Sequence, residues 1–424
     1  MIEKKQFENG LRLVTIPDLS VRSVTIFVLF AVGSRYEDKD INGASHFVEH
    51  LMFKGTKKRP NSLDISKALD SFGAEYNAAT SKDWTGYYIK IDSRHLEEAL
   101  DILSDMIYNS KFDAGEINKE RGVILEEINM YQDNPLMYIE DILEQVVFKG
   151  STLGSEIAGP KKVIREISRK KLFDYKNTHY VPEKTVIGIA GKIDNSIERL
   201  VKKYFQTTDK KIKGVKQVGY KDFVFDQKET RIKIIYKKTE QVQVALGFPA
   251  YGYFDPRVYA LNLLSVILGG NMSSRLFISV REKRGLAYFV RCYPNIYQDT
   301  GCLVIQSGLD KHRVGLAIET IVNELRRIKS TGVTVDELKK AKEYLRGKVV
   351  LALEDTASQA DWYAKQELLQ NQILTPEQKF KKFDLVTVAD IKKVAKEIFV
   401  KEKTSLALIG PFKDEKYFEK LLNL

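Results

Sequence analysis

Cysteine is scarce in this chain: Cys292 and Cys302 are the only two. Two thiols cannot build a disulfide framework, which excludes the stapled secreted scaffolds and makes a reducing, cytoplasmic setting the default. They flank the turn-like Gln298-Asp299-Thr300-Gly301 and are expected to face each other on paired strands as free thiols. Long hydrophobic runs are missing too. The longest near the start, Val24 to Val32, is too short to cross a bilayer and is interrupted by Thr25. No apolar segment follows Met1-Ile2-Glu3-Lys4-Lys5, so no signal peptide is expected. The net charge of +11 comes without an aromatic–basic RNA motif or a zinc-finger spacing. Lys is spread beside Glu on helix faces, as in Glu337-Leu338-Lys339-Lys340-Ala341-Lys342-Glu343. That reads as a solvated basic surface, with neither nucleic acid nor membrane as partner.

What is present is a globular composition, 43% hydrophobic and 29% charged, over 424 residues, enough for two or more domains. Arg12 to Ile16 and Val24 to Val32 read as strands from their β-branched and aromatic content. Asn42 is positioned to cap a helix running through Phe53, with Gly55 as its stop. Ser62 is positioned to cap a second helix, striped by Ile65, Leu69 and Phe72 and ended by Gly73. Glu75 to Thr80 and Thr85 to Ile91 read as a strand pair, and Leu96 to Tyr108 as an amphipathic helix. A helix over about Glu116 to Tyr131 follows. Pro135 breaks it, and another runs from about Leu136 to Phe148.

The first helix carries His46-Phe47-Val48-Glu49-His50. At about 3.6 residues per turn, two His four apart share a face and can close on one divalent ion such as Zn²⁺. Glu49 lies beside them, where a carboxylate reaches a metal-bound water. A catalytic zinc needs three protein ligands and one open position, so a third ligand is required. Glu120, Ile124, Glu127 and Tyr131 form one stripe on the later helix. Two carboxylates on an otherwise apolar stripe are expensive to bury without a partner. Glu127 can bind the ion directly, while Glu120, two turns earlier, can hydrogen-bond a ligand His. The competing expectation is that both face water or pair with Lys119 and Arg121.

His46 to His50, followed after 76 residues by Glu127 in Glu120-Arg121-Gly122-Val123-Ile124-Leu125-Glu126-Glu127, resembles the inverted-zincin peptidases of the insulysin/pitrilysin family. The flanking Leu51-Met52-Phe53-Lys54-Gly55-Thr56 is similar to the bacterial branch resembling the mitochondrial processing peptidase. The resemblance covers essentially the whole chain. It implies that His46, His50 and Glu127 bind one zinc per subunit, with Glu49 as general base.

An internal duplication accompanies it. Thr185-Val186-Ile187-Gly188-Ile189-Ala190-Gly191 recurs as Thr404-Ser405-Leu406-Ala407-Leu408-Ile409-Gly410. Laying Glu116 over Glu337 puts Ala341 at Glu120 and Lys348 at Glu127, and the helix matching the His pair, about Val258 to Leu268, has no His. The second half therefore copies the architecture without the metal site. The expected fold is α+β: two homologous α/β-sandwich domains, each a mostly antiparallel sheet packed with helices, together half of a clamshell. Expected boundaries are 1–208 for the catalytic domain, 209–222 for a Lys-rich linker, and 223–424 for a substrate-binding domain.

Further roles come from the resemblance. Arg281 and Tyr288, in Arg281-Glu282-Lys283-Arg284-Gly285-Leu286-Ala287-Tyr288, match family residues that bind substrate and help stabilise the transition state. The plainer expectation is an Arg paired with Glu282 and a Tyr packed in a strand. Asn77 and Ala78 match an edge strand that takes the substrate backbone. Asp83 departs from the Glu often found in relatives, which puts side-chain preference in doubt. The family's half-sized members imply a homodimer enclosing a chamber for peptides or unfolded polypeptides. The function expected is therefore a zinc endopeptidase, and the alternative is a non-catalytic core or assembly homologue.

Overall fold

The computed structural model describes residues 2–206 and 219–424, so residues 209–218 of the expected linker lie outside the described residues. Two mixed, mostly antiparallel sheets with helices packed on them bear out the α+β expectation. The first sheet contains β1 (Glu3–Gln6), β2 (Arg12–Pro17), β3 (Ser23–Phe30), β4 (Glu75–Thr80), β5 (Thr85–Asp92) and β6 (Thr185–Gly191), in the order β1-β2-β6-β3-β5-β4. The second contains β7 (Arg231–Tyr236), β8 (Gln241–Ala250), β9 (Ala287–Ile296), β10 (Gly301–Asp310) and β11 (Ser405–Gly410), in the order β7-β11-β8-β10-β9. The recurring segment forms β6 in one sheet and β11 in the other. Each pairs parallel with one neighbour, β2 or β7, and antiparallel with the next, β3 or β8.

Both sheets are covered on both faces, which is why β3 and β8 read as nearly continuous apolar runs. In β3, Val24, Ile26, Val28 and Phe30 enter a core with α1 (Ala44–Met52), α2 (Ser62–Asp70) and α3 (Leu96–Asn109). The alternate residues face the helix Thr356–Gln370, where the Thr25 and Thr356 hydroxyls are 2.9 Å apart. Gly188 on β6 makes room for that helix: a Cβ there would lie 2.7 Å from Ala364 Cβ and 3.0 Å from the Ala360 carbonyl oxygen. The buried Glu367 carboxylate ties the same helix to the strands through Arg12 (3.1 Å) and Lys4 (2.8 Å).

The second sheet repeats the plan. Val242, Val244, Leu246 and Phe248 of β8 face a core containing the helices Val258–Gly269, Val314–Thr331 and Val388–Ile398. On the opposite face lies α5 (Pro135–Val147), which follows α4 (Ala114–Asp133). Its Ile139, Ile142, Leu143 and Val147 pack on Ala245, Val304, Ala407 and Ile409. Gly247 again opens the seat, since a Cβ would lie 2.7 Å from Val147 Cγ2.

Two segments consequently depart from the expected 1–208 and 223–424 division. One compact unit comprises Met1–Ile128, Glu156–Tyr220 and Val350–Leu374. The other comprises Asn129–Ser155, Lys221–Val349 and Thr375–Leu424. Each half of the chain gives the helix after its long helix to the sheet of the other half.

Two local expectations are corrected and one strand is added. The cap of α2 is Asn61, whose side chain accepts from Asp64 N–H (3.0 Å) while the Asp64 carboxylate accepts from Asn61 N–H (3.3 Å); Ser62 is the first helical residue. Glu3–Gln6 adds an edge strand that its charged residues did not signal. The buried Cys292 and Cys302 do lie on paired strands but do not face each other. Cys292 is opposite Ile305 and Cys302 opposite Asn295, and the odd spacing between residues 302 and 305 puts the thiols on opposite faces. Among the described residues, no helix is long and apolar enough to cross a membrane.

Because the Gly188 seat has no space for a side chain, Gly188→Val should destabilise the protein by about 1–3 kcal/mol. Chemical denaturation should show the lower midpoint at unchanged slope, and an unchanged midpoint would show that the helix Thr356–Gln370 shifts without cost.

Candidate metal centre

The centre is built on α1, whose N-terminus is held from outside the helix. The Glu37 carboxylate accepts from the backbone N–H groups of Gly43 (2.7 Å) and Ser45 (2.6 Å) and from Asn42 Nδ2 (2.9 Å). Asn42 is thus not the cap; its side chain also donates to the Glu156 carbonyl (3.0 Å). Burial pushes the Glu37 carboxyl up to about 7, even against these donors. Gly43 enters the helix with φ +100°, and a Cβ there would lie 2.6 Å from the Ala158 carbonyl oxygen. Phe47, Val48 and Leu51 are then buried in the core. That rotation turns His46 and His50 toward α4 and Glu49 toward β4.

Ile117, Glu120, Ile124 and Ile128 form the buried face of α4, and Glu127 is half-buried beside them. Lys119 pairs with Glu116 (2.6 Å), and Arg121 donates to the carbonyls of Ile164 and Ile167 (3.0 Å to the latter). Neither takes up Glu120 or Glu127. Glu127 Oε2 lies 3.6 Å from His46 Nε2 and 3.5 Å from His50 Nε2. One ligand atom from each of His46, His50 and Glu127 falls within 4.8 Å of the others. Tetrahedral zinc with 2.0–2.1 Å bonds separates its ligand atoms by about 3.4 Å, so the donor set fits such an ion.

Electrostatics follow from this convergence. The side chains of His46 and His50 hold the Glu127 carboxyl well below the usual range, against its burial. For His50, burial pulls the pKa down, but Glu120, Glu127 and Glu49 outweigh it and raise it to about 9. Glu120 Oε2 accepts from His50 Nδ1 (3.0 Å), and Glu120 Oε1 accepts from Lys54 Nζ (2.8 Å). Burial raises the Glu120 carboxyl, yet His50 and Lys54 leave it lowered. On the other side, the Thr80 hydroxyl donates to Glu49 Oε2.

Thr80 ends β4, an edge strand of its sheet, in which Asn77 is exposed and Ala78 half-buried. Asp83, after this strand, is buried against Arg35 (2.9 Å) and serves the fold there. Arg281 and Tyr288 belong to the other compact unit. They approach each other: the Arg281 guanidinium lies 4.8 Å from the Phe277 ring centre and 5.9 Å from that of Tyr288. Pairing along β9 and β10 shifts between Gly308 and Leu309, leaving Tyr288 as the extra residue of a bulge. Bulges re-aim side chains, and Tyr288 is 74% exposed rather than packed in the strand.

Glu37, Lys54 and Thr80 were not singled out from sequence. Lys54 resembles any other surface Lys. Thr80 closes a strand already assigned, and Glu37 reaches the helix only through the fold of the loop.

A model of the insulinase peptidase family, M16, matches residues 12–161, and one described as the peptidase M16 inactive domain matches residues 166–345. A Bacillus subtilis protein named as an uncharacterized zinc protease, YmxG, is 37% identical over 97% of this chain and 98% of its own. A Streptomyces coelicolor protein named in the same way is 35% identical over 98% of this chain and 90% of its own. Among solved structures, a protease from Helicobacter pylori superposes with a TM-score of 0.91 at 24% identity, over 97% of this chain and 99% of that one. At that identity the superposition speaks for the fold alone.

A raised His50 pKa has a definite sign. The stability it contributes is present below the unfolded value of about 6.5 and lost as pH rises through about 9. A cation taken up through His50 Nε2 must displace the proton. Zinc binding near neutral pH should therefore release about one proton, and affinity should fall about tenfold for each pH unit below about 9. Calorimetry in buffers of different ionisation enthalpy reads the release; binding with none would place the cation elsewhere.

Proposed function

The chain belongs to the insulinase family of peptidases, M16, and from that premise we propose that it is a zinc-dependent endopeptidase. The observation that carries the reading is the convergence of His46, His50 and Glu127 with the Glu49 carboxylate beside them. The names of the relatives supply the choice of zinc, and the proposal takes one ion per subunit. His46 and His50 would hold it through Nε2 and Glu127 through a carboxylate oxygen. Zinc bound there supplies Lewis acidity toward a scissile carbonyl and brings water toward ionisation near neutral pH.

The chain's own residues do the rest. Glu49 takes the proton of the attacking water at its carboxylate and returns it to the leaving amine nitrogen. Thr80 holds one Glu49 oxygen by its hydroxyl and leaves the other to serve as base. An extended peptide adds to the free edge of β4 at Asn77 and Ala78, where main-chain hydrogen bonds place little demand on its sequence. Arg281 and Tyr288 carry donors suited to a carbonyl oxygen that gains charge. Within the same proposal they act across a homodimer whose chamber takes short or unfolded polypeptides. Two buried thiols suit a reducing, cytoplasmic setting.

Glu49→Gln should keep stoichiometric zinc while losing turnover by at least about 10²-fold; cleavage at the wild-type rate would refute the base assignment. His50→Ala should lose the zinc itself, as read by elemental analysis. A wild-type protein with bound zinc but no chelator-sensitive cleavage of unfolded polypeptides would point instead to a non-catalytic assembly homologue.

A further inference from the structure

Glu120 is the most deeply buried charged group beside the three candidate ligands, its side chain only 5% exposed. Its two oxygens are divided: Oε2 faces His50 Nδ1 at 3.0 Å and Oε1 faces Lys54 Nζ at 2.8 Å. The backbone under Lys54 is pinned on both sides. Lys54 N–H donates to the Leu51 carbonyl (3.2 Å), and Gly55 O accepts from Lys111 N–H (3.1 Å). Gly55 turns the chain at φ +112°, where a Cβ would lie 2.5 Å from the Pro60 carbonyl oxygen. Lys54 thus follows directly on the C-terminal cap of α1, where the helix dipole favours a cation. A carboxylate held at one oxygen can swing about its broad terminal torsion; one held at both cannot.

We propose that Lys54 is a positioning residue of the metal centre. By holding Oε1 of Glu120 it fixes Oε2 against His50 Nδ1, and so aims His50 Nε2 at the point shared with His46 and Glu127. This rests on the reading of those three residues as zinc ligands. Outer partners of a ligand imidazole set its tautomer and ring orientation, and their loss typically weakens metal binding by about 10–100-fold. A surface ion pair of no functional weight would instead contribute little.

Zinc affinity, measured by competition with a chromophoric chelator, separates the two for wild type, Lys54→Met, Lys54→Arg, Glu120→Gln and the Lys54→Met/Glu120→Gln double variant. Lys54→Met should weaken zinc binding by about tenfold or more, and Lys54→Arg should recover most of the loss. In the Glu120→Gln background Lys54→Met should add nothing, because the carboxylate it holds is gone. A general loss of structure would be additive and would not be rescued by Arg. Unchanged affinity in Lys54→Met, or full additivity with Glu120→Gln, overturns the proposal. A wild-type protein that binds no stoichiometric zinc overturns the metal-centre reading, and this inference with it.

Discussion

Two carboxylates on the core-facing side of one helix set the terms for everything around them. Glu120 is almost fully buried and Glu127 half-buried, and desolvation raises the cost of ionising both. Only cations or donors brought within contact offset that cost, and the structure supplies them from one short stretch. His46 and His50 meet Glu127, while His50 and Lys54 meet Glu120. The net direction of each shift shows which effect wins: both carboxyls are lowered and His50 is raised, despite burial acting the other way on all three. The lone pair and the carboxylate charge that raise His50 are the same ones a divalent cation would use in the proton's place.

Such a cluster works only if α1 and α4 keep their separation, and the scaffold is built around that need. The N-terminus of α1 is held by a buried Glu37 rather than by a residue of its own first turn. Its far end is turned by Gly55 at a conformation few other residues adopt. Between them, Glu49 is tied to the last residue of β4. Glu49 and the edge strand β4 are therefore linked by one hydroxyl.

The chemistry was more legible in the sequence than the means of holding it. His46, Glu49 and His50 announce themselves because helical spacing alone puts them together, and Glu120 and Glu127 because carboxylates interrupt an apolar stripe. The recurrence of Thr185–Gly191 at Thr404–Gly410 likewise located equivalent strands, since β6 and β11 pair with their neighbours in the same senses. The cap of α1 escapes a sequence reading because the rule is local while the acceptor is not. Asn42 satisfies the spacing, but the loop folds so that Glu37 reaches the backbone first. The interleaved units escaped for a related reason. Nothing along α5 states which sheet it covers; that is decided by where a glycine leaves room, at Gly247 for α5 and at Gly188 for its counterpart.

The second half of the chain is an internal control on how much of this the fold itself requires. Its sheet has the same central pairing, and its long helix Val335–Ala352 occupies the place of α4. Where Glu120 is buried it carries buried Ala341, and where Glu127 lies it carries exposed Lys348. The helix matching α1, Val258–Gly269, is apolar almost throughout and buried over most of its length. One architecture thus forms equally well without a single buried carboxylate or imidazole at these positions. Since burying such groups costs stability that an apolar face would not, their presence in the first half cannot be explained by folding. The proposed metal accounts for it.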